Sequence, residues 1–330
     1  MSLIHLVSLS GGKDSTATAI LALEQHGVAA CRFVMADTGN EHESTLEYAL
    51  DYLPSALGIM VDVVRADFAD EFATKRANLA RIAAGEPESA VYGKRAFKYH
   101  WTPEAAQRAL DLLHPTGNPY LDLCMVRGCF PSRKRQFCTE YLKTKPLTEF
   151  AMELIDRECD AIWSWQGVRI DESQSRRERL QGTGACVKHF EVVGGGLFTY
   201  RPILRWNVGD VFDAHRLAGI KPNPLYKQGM SRVGCMPCIN CSKGELHEVS
   251  RRFPQHIARI AEWEALVSEV CRPRSPVSFF HMGTKAHAGQ ASTIEAVVEW
   301  SKTSRGGKQF SLLTALDEPT ACSSAYGLCE

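Results

Sequence analysis

No stretch of the sequence approaches the roughly 18 uninterrupted apolar residues of a membrane span, and its amino terminus lacks the basic, apolar and small-residue layout of a secretory signal. A cytoplasmic protein that makes no use of a membrane is the expectation. Net charge is missing as well: Lys plus Arg and Asp plus Glu both number 38, so any contact with nucleic acid has to come from a local patch. Internal repeats and low-complexity tracts are absent, and 23% charged with 45% apolar residues excludes a disordered or fibrous chain. The 330 residues are more than one compact domain usually needs, which predicts a large domain with a smaller appendage. What the chain does have is cysteine, 12 in all. Under reducing conditions clustered thiols bind metal more often than they form disulfides.

Strand and helix patterns alternate over the first 70 residues, the signature of a parallel α/β sheet. Residues 3–9 predict a buried strand. DSTATAILALEQHG predicts a helix starting near Asp14 or Ser15 and stopped by Gly27, and VAACRFVMADTG a second strand ending in a polar turn. NEHESTLEYALDYL predicts a helix with Asn40 and Glu43 as a capping box; IMVDVVRAD predicts a third strand, with a helix after it from about 68 to 84. Residues 85–128 break this rhythm. They hold one expected helix, TPEAAQRALDLLH, and read as an insertion able to fold over a site. A helix near 147–158, strands in DAIWSWQG and GGGLFTYRPIL, and a helix capped by Asn207 complete a first domain at 1–242. Residues 243–330 read as a mainly helical extension, irregular over the last 60, with SRGGK exposed.

SLSGGKDST, residues 8–16, stands where the first strand turns into the first helix. Such a turn forms an anion site, because free N–H groups and the helix dipole both direct positive charge at it. Gly11 and Gly12 let the backbone approach a phosphate, Ser10 and Ser15 offer hydroxyls, and Lys13 adds a point charge. The spacing matches neither G-x-x-x-x-G-K-[ST] nor G-x-G-x-x-G. After the second strand, Asp37-Thr38-Gly39-Asn40-Glu41 lies where open α/β sheets bind nucleotides, although local chemistry alone fits a capped turn equally well.

The run Ser10-Gly11-Gly12-Lys13-Asp14-Ser15 is similar to the S-G-G-x-D-S loop of the PP-loop ATP pyrophosphatases, and it is complete. Three further motifs follow in order. FCTEYLKTKP holds Phe137, Cys138, Thr139, Lys143 and Pro146; GVRIDESQSR holds Gly167, Arg169, Glu172, Ser173 and Arg176; RPILRWNVGDVF holds Pro202, Ile203, Trp206 and Asp210. Together the four resemble the phosphoadenosine phosphosulfate reductase family over about residues 4–241. The resemblance implies a Rossmann-like α/β fold of the adenine nucleotide alpha hydrolase type, a parallel sheet with helices on both faces. It implies that Ser8, Ser10, Gly11, Gly12, Lys13, Asp14 and Ser15 hold the phosphates of ATP, Asp14 acting with Mg2+, and that Asp37, Thr38, Gly39, Gly167, Glu172 and Ser173 line the nucleotide. Arg169 and Arg176 join Lys13 and Asp14 as expected catalytic groups, since a planar guanidinium suits phosphate or sulfate; a solvated charged surface is the plain alternative. Reductases of already activated sulfonucleotides generally have an altered loop and an E-C-G-[IL]-H type tail. Here the loop is intact and the tail reads CSSAYGLCE, with Cys329 in unmatched surroundings, so ATP is the expected nucleotide.

Cys235, Cys238 and Cys241 form C-x-x-C-x-x-C, a spacing at which one loop can turn all three toward a metal centre, with a fourth ligand from elsewhere. By resemblance that fourth ligand is Cys138, because iron–sulfur members of the family carry a cluster cysteine in the segment matching FCTEYLK; Cys129 is the runner-up. A [4Fe–4S] cluster is expected, with structural Zn2+ as the alternative.

An intact pyrophosphatase loop with this cysteine set resembles the iron–sulfur DNA phosphorothioation sulfurtransferases of the Dnd and Ssp type. That resemblance implies ATP activation of a nucleic-acid backbone phosphate, DNA ahead of RNA. It also implies sulfur from a cysteine desulfurase, other modification-system proteins as partners, and a homodimer as a possible assembly. Arg127, Arg133, Lys134, Arg135, Lys143 and Lys145 crowd the chain around Cys138, as phosphate-neutralising cations or as an ordinary charged face. Trp101, Trp163 and Trp165 could stack bases, though tryptophans in a strand such as DAIWSWQG are more often core. Two other functions remain open: reduction of a phosphosulfate nucleotide by Cys329, and a catalytically silent regulator that binds nucleotide and DNA.

Overall fold

The computed structural model describes residues 2–182, 184–192, 195–273, 276–280, 293–304 and 309–310. Cys329 with its tail and most of SRGGK lie outside them. The chain divides into two compact units, Met1–Arg65 with Leu142–Cys235 and Ala66–Tyr141 with Met236–Ala321. This differs from the boundary expected at 242. The reason is packing: helix Pro254–Glu269 contacts both Pro103–Leu112 and Pro119–Arg127, so the insertion and the carboxyl-terminal helices share one core.

The first unit contains the α/β sheet, with strands β1 Leu3–Leu9, β2 Cys31–Ala36, β3 Val61–Val64, β4 Ala161–Trp165, β5 Cys186–Val192 and β6 Gly195–Tyr200. Their order is β3-β2-β1-β4-β6-β5. All pairings are parallel except that of β5 with β6, so the expected parallel sheet carries one antiparallel edge strand. Only two residues separate these strands in sequence, enough for a hairpin, whereas a parallel return needs a crossover of a dozen or more.

Successive residues of β1 feed opposite faces of the sheet. Val7 and Leu9 join Ile20, Phe33, Leu53 and Trp165 in one core, while Leu6 joins Val34, Leu154, Ile162 and Leu197 in the other. A sheet apolar on both sides must be covered on both, here by α1 (Lys13–His26) and by helix Lys145–Arg157. Each buried side chain the size of Phe33 or Leu53 contributes roughly 1.5–3 kcal/mol. Trp165 is core, as a strand tryptophan usually is, with its indole N–H donated to His5 Nδ1 at 3.0 Å.

The helix expected in NEHESTLEYALDYL runs through Glu43–Glu47, a π-helical turn at Tyr48–Tyr52, and Leu53–Leu57. Its cap is His42, whose Nδ1 accepts from Ser44 N at 3.0 Å, and not Asn40. Asn40 is held back in the preceding turn, where its N–H donates to Thr38 Oγ1 at 3.3 Å.

The second unit is helical among its described residues, apart from a two-stranded pairing of Thr303–Ser304 with Gln309–Phe310. The insertion holds a second long helix, Pro119–Arg127, besides the expected one at Pro103–Leu112; Asn118 caps it, accepting from Leu121 N at 3.1 Å. Tyr120 stacks on Trp263 and Phe279, with centroids 5.7 and 6.1 Å apart, and Phe130 adds a fourth ring 5.4 Å from Phe279. Below them the buried Glu264 accepts from the N–H groups of Phe279 (2.7 Å) and Ile294 (2.9 Å). Burial pushes its carboxyl up to about 7.

Candidate functional site

Strands β1, β2 and β3 run out to one side of the sheet and β4 lies on the other side of β1, which makes the β1/β4 boundary a topological switch point. In open α/β sheets the crevice beyond the carboxyl ends of such strands is where ligands bind. The two loops that leave it are Ser10–Ser15, after β1, and the segment beginning at Gly167, after β4.

The first loop is cramped and braced. Gly11 has φ +68°, and a Cβ there would fall 2.7 Å from Thr45 Cγ2, so both backbone and space demand glycine. Gly12 stands at the N-cap of α1 with no side chain capping it, which leaves the helix N–H groups directed at the turn. Ser10 and Ser15 place their hydroxyls 3.1 Å apart, and Ser15 Oγ donates to Gly12 O at 3.0 Å. Lys13 is buried; its N–H donates to Tyr226 Oη at 2.8 Å and its Nζ to Ser231 O at 3.3 Å. Asn223 Nδ2 donates to Gly11 O at 3.1 Å, and His215 Nε2 lies 2.8 Å from Lys13 O.

These braces from 215–231 are functional neighbours that sequence reasoning missed. The only signal was the turn-rich KPNPLY, which marks a turn and not what it touches. His215 Nδ1 has no hydrogen-bond partner, and burial lowers the pKa of the imidazole below its ordinary value. With Nε2 donating to the Lys13 carbonyl, the ring sits neutral under the loop.

Gly167 closes the crevice from β4. A Cβ on it would lie 2.7 Å from the carbonyl carbon and oxygen of Asp14, so only glycine permits the approach. Arg169, 3% exposed, pairs through Nε with Asp14 Oδ1, while Lys13 Nζ stands 3.6 Å from Asp14 Oδ2. The acidic group of the loop is thus held between two buried cations. Arg176 pairs with Glu172, whose other oxygen is 3.2 Å from Arg232 Nη2. Burial lowers the pKa of Arg176, Glu172 opposes the shift, and Asp14 lies within its electrostatic reach. Ser173 acts as an N-cap, accepting from Arg176 N at 3.2 Å. Ser8 is half-buried on β1.

At the end of β2, Asp37 pairs with Arg65 and accepts from Gly39 N at 2.9 Å. Thr38 gives its N–H and hydroxyl to the Glu41 carboxylate at 3.0 and 2.8 Å. Cys235 joins this turn, with Sγ 3.4 Å from Thr38 Oγ1 and 3.6 Å from Glu41 Oε1.

Cys238 and Cys241 belong to the second unit. Burial raises the Cys241 thiol pKa first and the neighbouring Cys238 adds to it, while Arg133, whose Nη2 donates to Cys241 O at 2.8 Å, works the other way. Cys138 keeps company with Cys124 and Cys129: burial raises the Cys124 thiol pKa first, and Cys129 and Cys138 add to it. Among the described residues, Cys138, Cys238 and Cys241 do not bring all three sulfurs within 4.8 Å of one another. None of the four expected ligands is in a disulfide, and the Cys238–Cys241 pair has donor chemistry that fits a thiophilic metal, since coordination relieves the cost of adjacent half-buried thiolates.

Fold and loop together give an α/β sheet whose first strand-to-helix turn is built to receive an anion at the switch point. A family model described as the phosphoadenosine phosphosulfate reductase domain matches residues 122–241. The chain is 43% identical to the "Uncharacterized 37.8 kDa protein in gpa 5'region" of Escherichia phage 186, over 100% of this chain and 97% of that protein, and it belongs to that protein's family. It is also 24% identical to "Uncharacterized protein MJ0066" of Methanocaldococcus jannaschii, over 80% of this chain but 41% of that protein. Among solved structures, phosphoadenylyl-sulfate reductase from Candida auris aligns with TM-score 0.37 and 12% identity, covering 71% of this chain and 81% of that one. The FMN adenylyltransferase of Candida glabrata aligns with TM-score 0.35 and 11% identity, covering 71% and 55%.

Proposed function

We infer that the protein is an ATP pyrophosphatase that adenylates a nucleic-acid backbone phosphate, DNA ahead of RNA, so that sulfur can replace a nonbridging oxygen. The observation that carries this reading is the intact Ser10–Ser15 loop at the β1/β4 switch point, with Lys13 and Arg169 buried beside it. In this reading Ser10, Ser15, Lys13 and the amides of α1 hold the β- and γ-phosphates, and Asp37 to Gly39 with Gly167 take the nucleoside. A nonbridging oxygen of the acceptor attacks the α-phosphorus, the bond to the bridging oxygen breaks, and pyrophosphate leaves. Arg169 and Arg176 neutralise the charge that develops. Persulfide sulfur from a cysteine desulfurase then attacks the acceptor phosphorus and displaces AMP, which departs with the acceptor's former oxygen; a second thiol reduces the remaining sulfur–sulfur bond, leaving the phosphorothioate and a disulfide. Asp14 balances Lys13 and Arg169; with a triphosphate taking over that role, its carboxylate would be the group to hold Mg2+, which would supply further charge neutralisation. Cys138, Cys235, Cys238 and Cys241 are the residues to hold a [4Fe–4S] cluster, which would supply an iron site for sulfur, or a Zn2+ ion with a structural role.

The test is pyrophosphate release from ATP in the presence of DNA, RNA or partner protein. Lys13→Ala is expected to lower it at least about 100-fold, the scale of losing a preorganised charge, while leaving bound metal unchanged. No release with any acceptor would sink the reading, and turnover of a phosphosulfate nucleotide instead would favour the reductase. An anaerobic visible spectrum separates iron–sulfur from colourless zinc.

A further inference from the structure

The second unit holds an open-mouthed cavity of about 710 Å3, lined entirely by its own residues and within the roughly 300–1,000 Å3 of small-molecule sites. Four rings of its wall, Tyr92, Phe97, Tyr99 and Trp101, come from one short stretch, YGKRAFKYHW, in which aromatic and basic residues alternate. Tyr141 supplies another ring from a separate segment. Five basic side chains line the cavity against two carboxylates, Asp70 and Glu71.

Several of these cations are already laid on rings. Arg272 lies 3.5 Å from the centroid of Phe97 and 5.0 Å from that of Tyr92, Arg127 is 4.4 Å over Tyr141, and Lys98 is 5.3 Å over Tyr99. Arg272 is balanced by Glu88 at 2.9 Å. Arg95, Lys98 and Arg127 are exposed, and among the described residues none of the three has an acidic partner. At the floor, Lys75 Nζ is spent on the carbonyls of Met125 (2.6 Å) and Val270 (2.8 Å). The cations left for a ligand are therefore those at the rim.

We propose that this cavity takes an unpaired nucleotide of a nucleic-acid strand, its base among the rings and its phosphates against Arg95, Lys98 and Arg127. Rings with interleaved cations are how single strands are held: stacking needs an open base face, and the backbone needs positive charge at its side. Inorganic phosphate would leave the rings unused, and an apolar ligand would leave the cations unused. Base pairs stacked in a duplex offer no free face. The proposal rests on the nucleic-acid half of the functional reading and not on the ATP chemistry.

The experiment is fluorescence anisotropy of a labelled oligo-dT strand with the full chain and no ATP, alongside a duplex of equal length and free thymidine monophosphate. The strand is expected to bind more tightly than the duplex. Phe97→Ala should weaken it roughly 5- to 160-fold, the worth of one stacked base, with Phe97→Tyr retaining binding. Arg95→Glu with Lys98→Glu, both exposed and so harmless to folding, should weaken it as well. Strand binding indifferent to these charge reversals, equal affinity for duplex, or capture of the mononucleotide without the strand would each overturn the proposal. Since ATP is absent, pyrophosphate release can survive this failure and strand binding can survive the loss of pyrophosphate release.

Discussion

At Gly167 one methyl group is enough to separate the two loops of the switch-point crevice. Gly167→Ala pushes a Cβ to 2.7 Å from the Asp14 carbonyl, backbone that cannot swing aside as a side chain could. About 1–3 kcal/mol of stability should be lost in urea unfolding, the usual cost of overpacking, and ATP affinity should fall with it. His215 makes a second residue-scale prediction. Its native pKa is depressed by burial, so the folded state holds fewer protons than the unfolded state just below the ordinary histidine value. Stability is then full above about pH 6.5 and declines as the pH falls below it. Thermal midpoints across pH 5–7 check this, and His215→Gln should flatten that part of the profile. The loop residues were legible in the chain because their types and order are the chemistry. Tyr226, Asn223 and His215 were not, since each acts through a contact more than 200 residues away along the sequence.

Among the elements, helix Pro254–Glu269 has the most to do in the second unit, because Glu264 ties it to the backbone at Phe279 and Ile294. Glu264→Ala leaves two buried N–H groups without an acceptor and should cost about 2–4 kcal/mol in denaturant unfolding. The carboxyl also titrates in an unusual window. Its folded pKa, about 7, lies above the ordinary 4.5, so between these values the native state binds more protons than the unfolded one. Its contribution to stability therefore falls as pH rises from about 4.5 to 7 and stays level above. This slope opposes that of His215, and Glu264→Gln should remove it alone. Strands and helices of the first unit were readable from hydrophobic period and caps: Asn207 caps its helix in a capping box with Asp210. The π-helical turn at Tyr48–Tyr52 and the β5–β6 hairpin left no comparable pattern, because they depend on how neighbouring segments pack.

For the whole molecule, a formal net charge of zero means that long-range attraction to nucleic acid is weak and that any binding is local. Single-strand affinity should then fall with salt at a modest slope of about 0.7 per phosphate neutralised. Removing Arg95 and Lys98 by charge reversal should reduce that slope by about 1.4, measured as log affinity against log salt. The sequence by itself determined the α/β class, the glycine turn between first strand and first helix and the cysteine triplet, because period, composition and spacing are properties of the chain alone. Only the tertiary structure decided that Arg169 is buried against Asp14, that 215–231 brace the loop, and that the 85–128 insertion builds a cavity with helix Ala69–Ala83 and with Cys271 and Arg272. Those outcomes depend on which distant side chains fill the same space, a matter of packing and desolvation that local pattern does not encode.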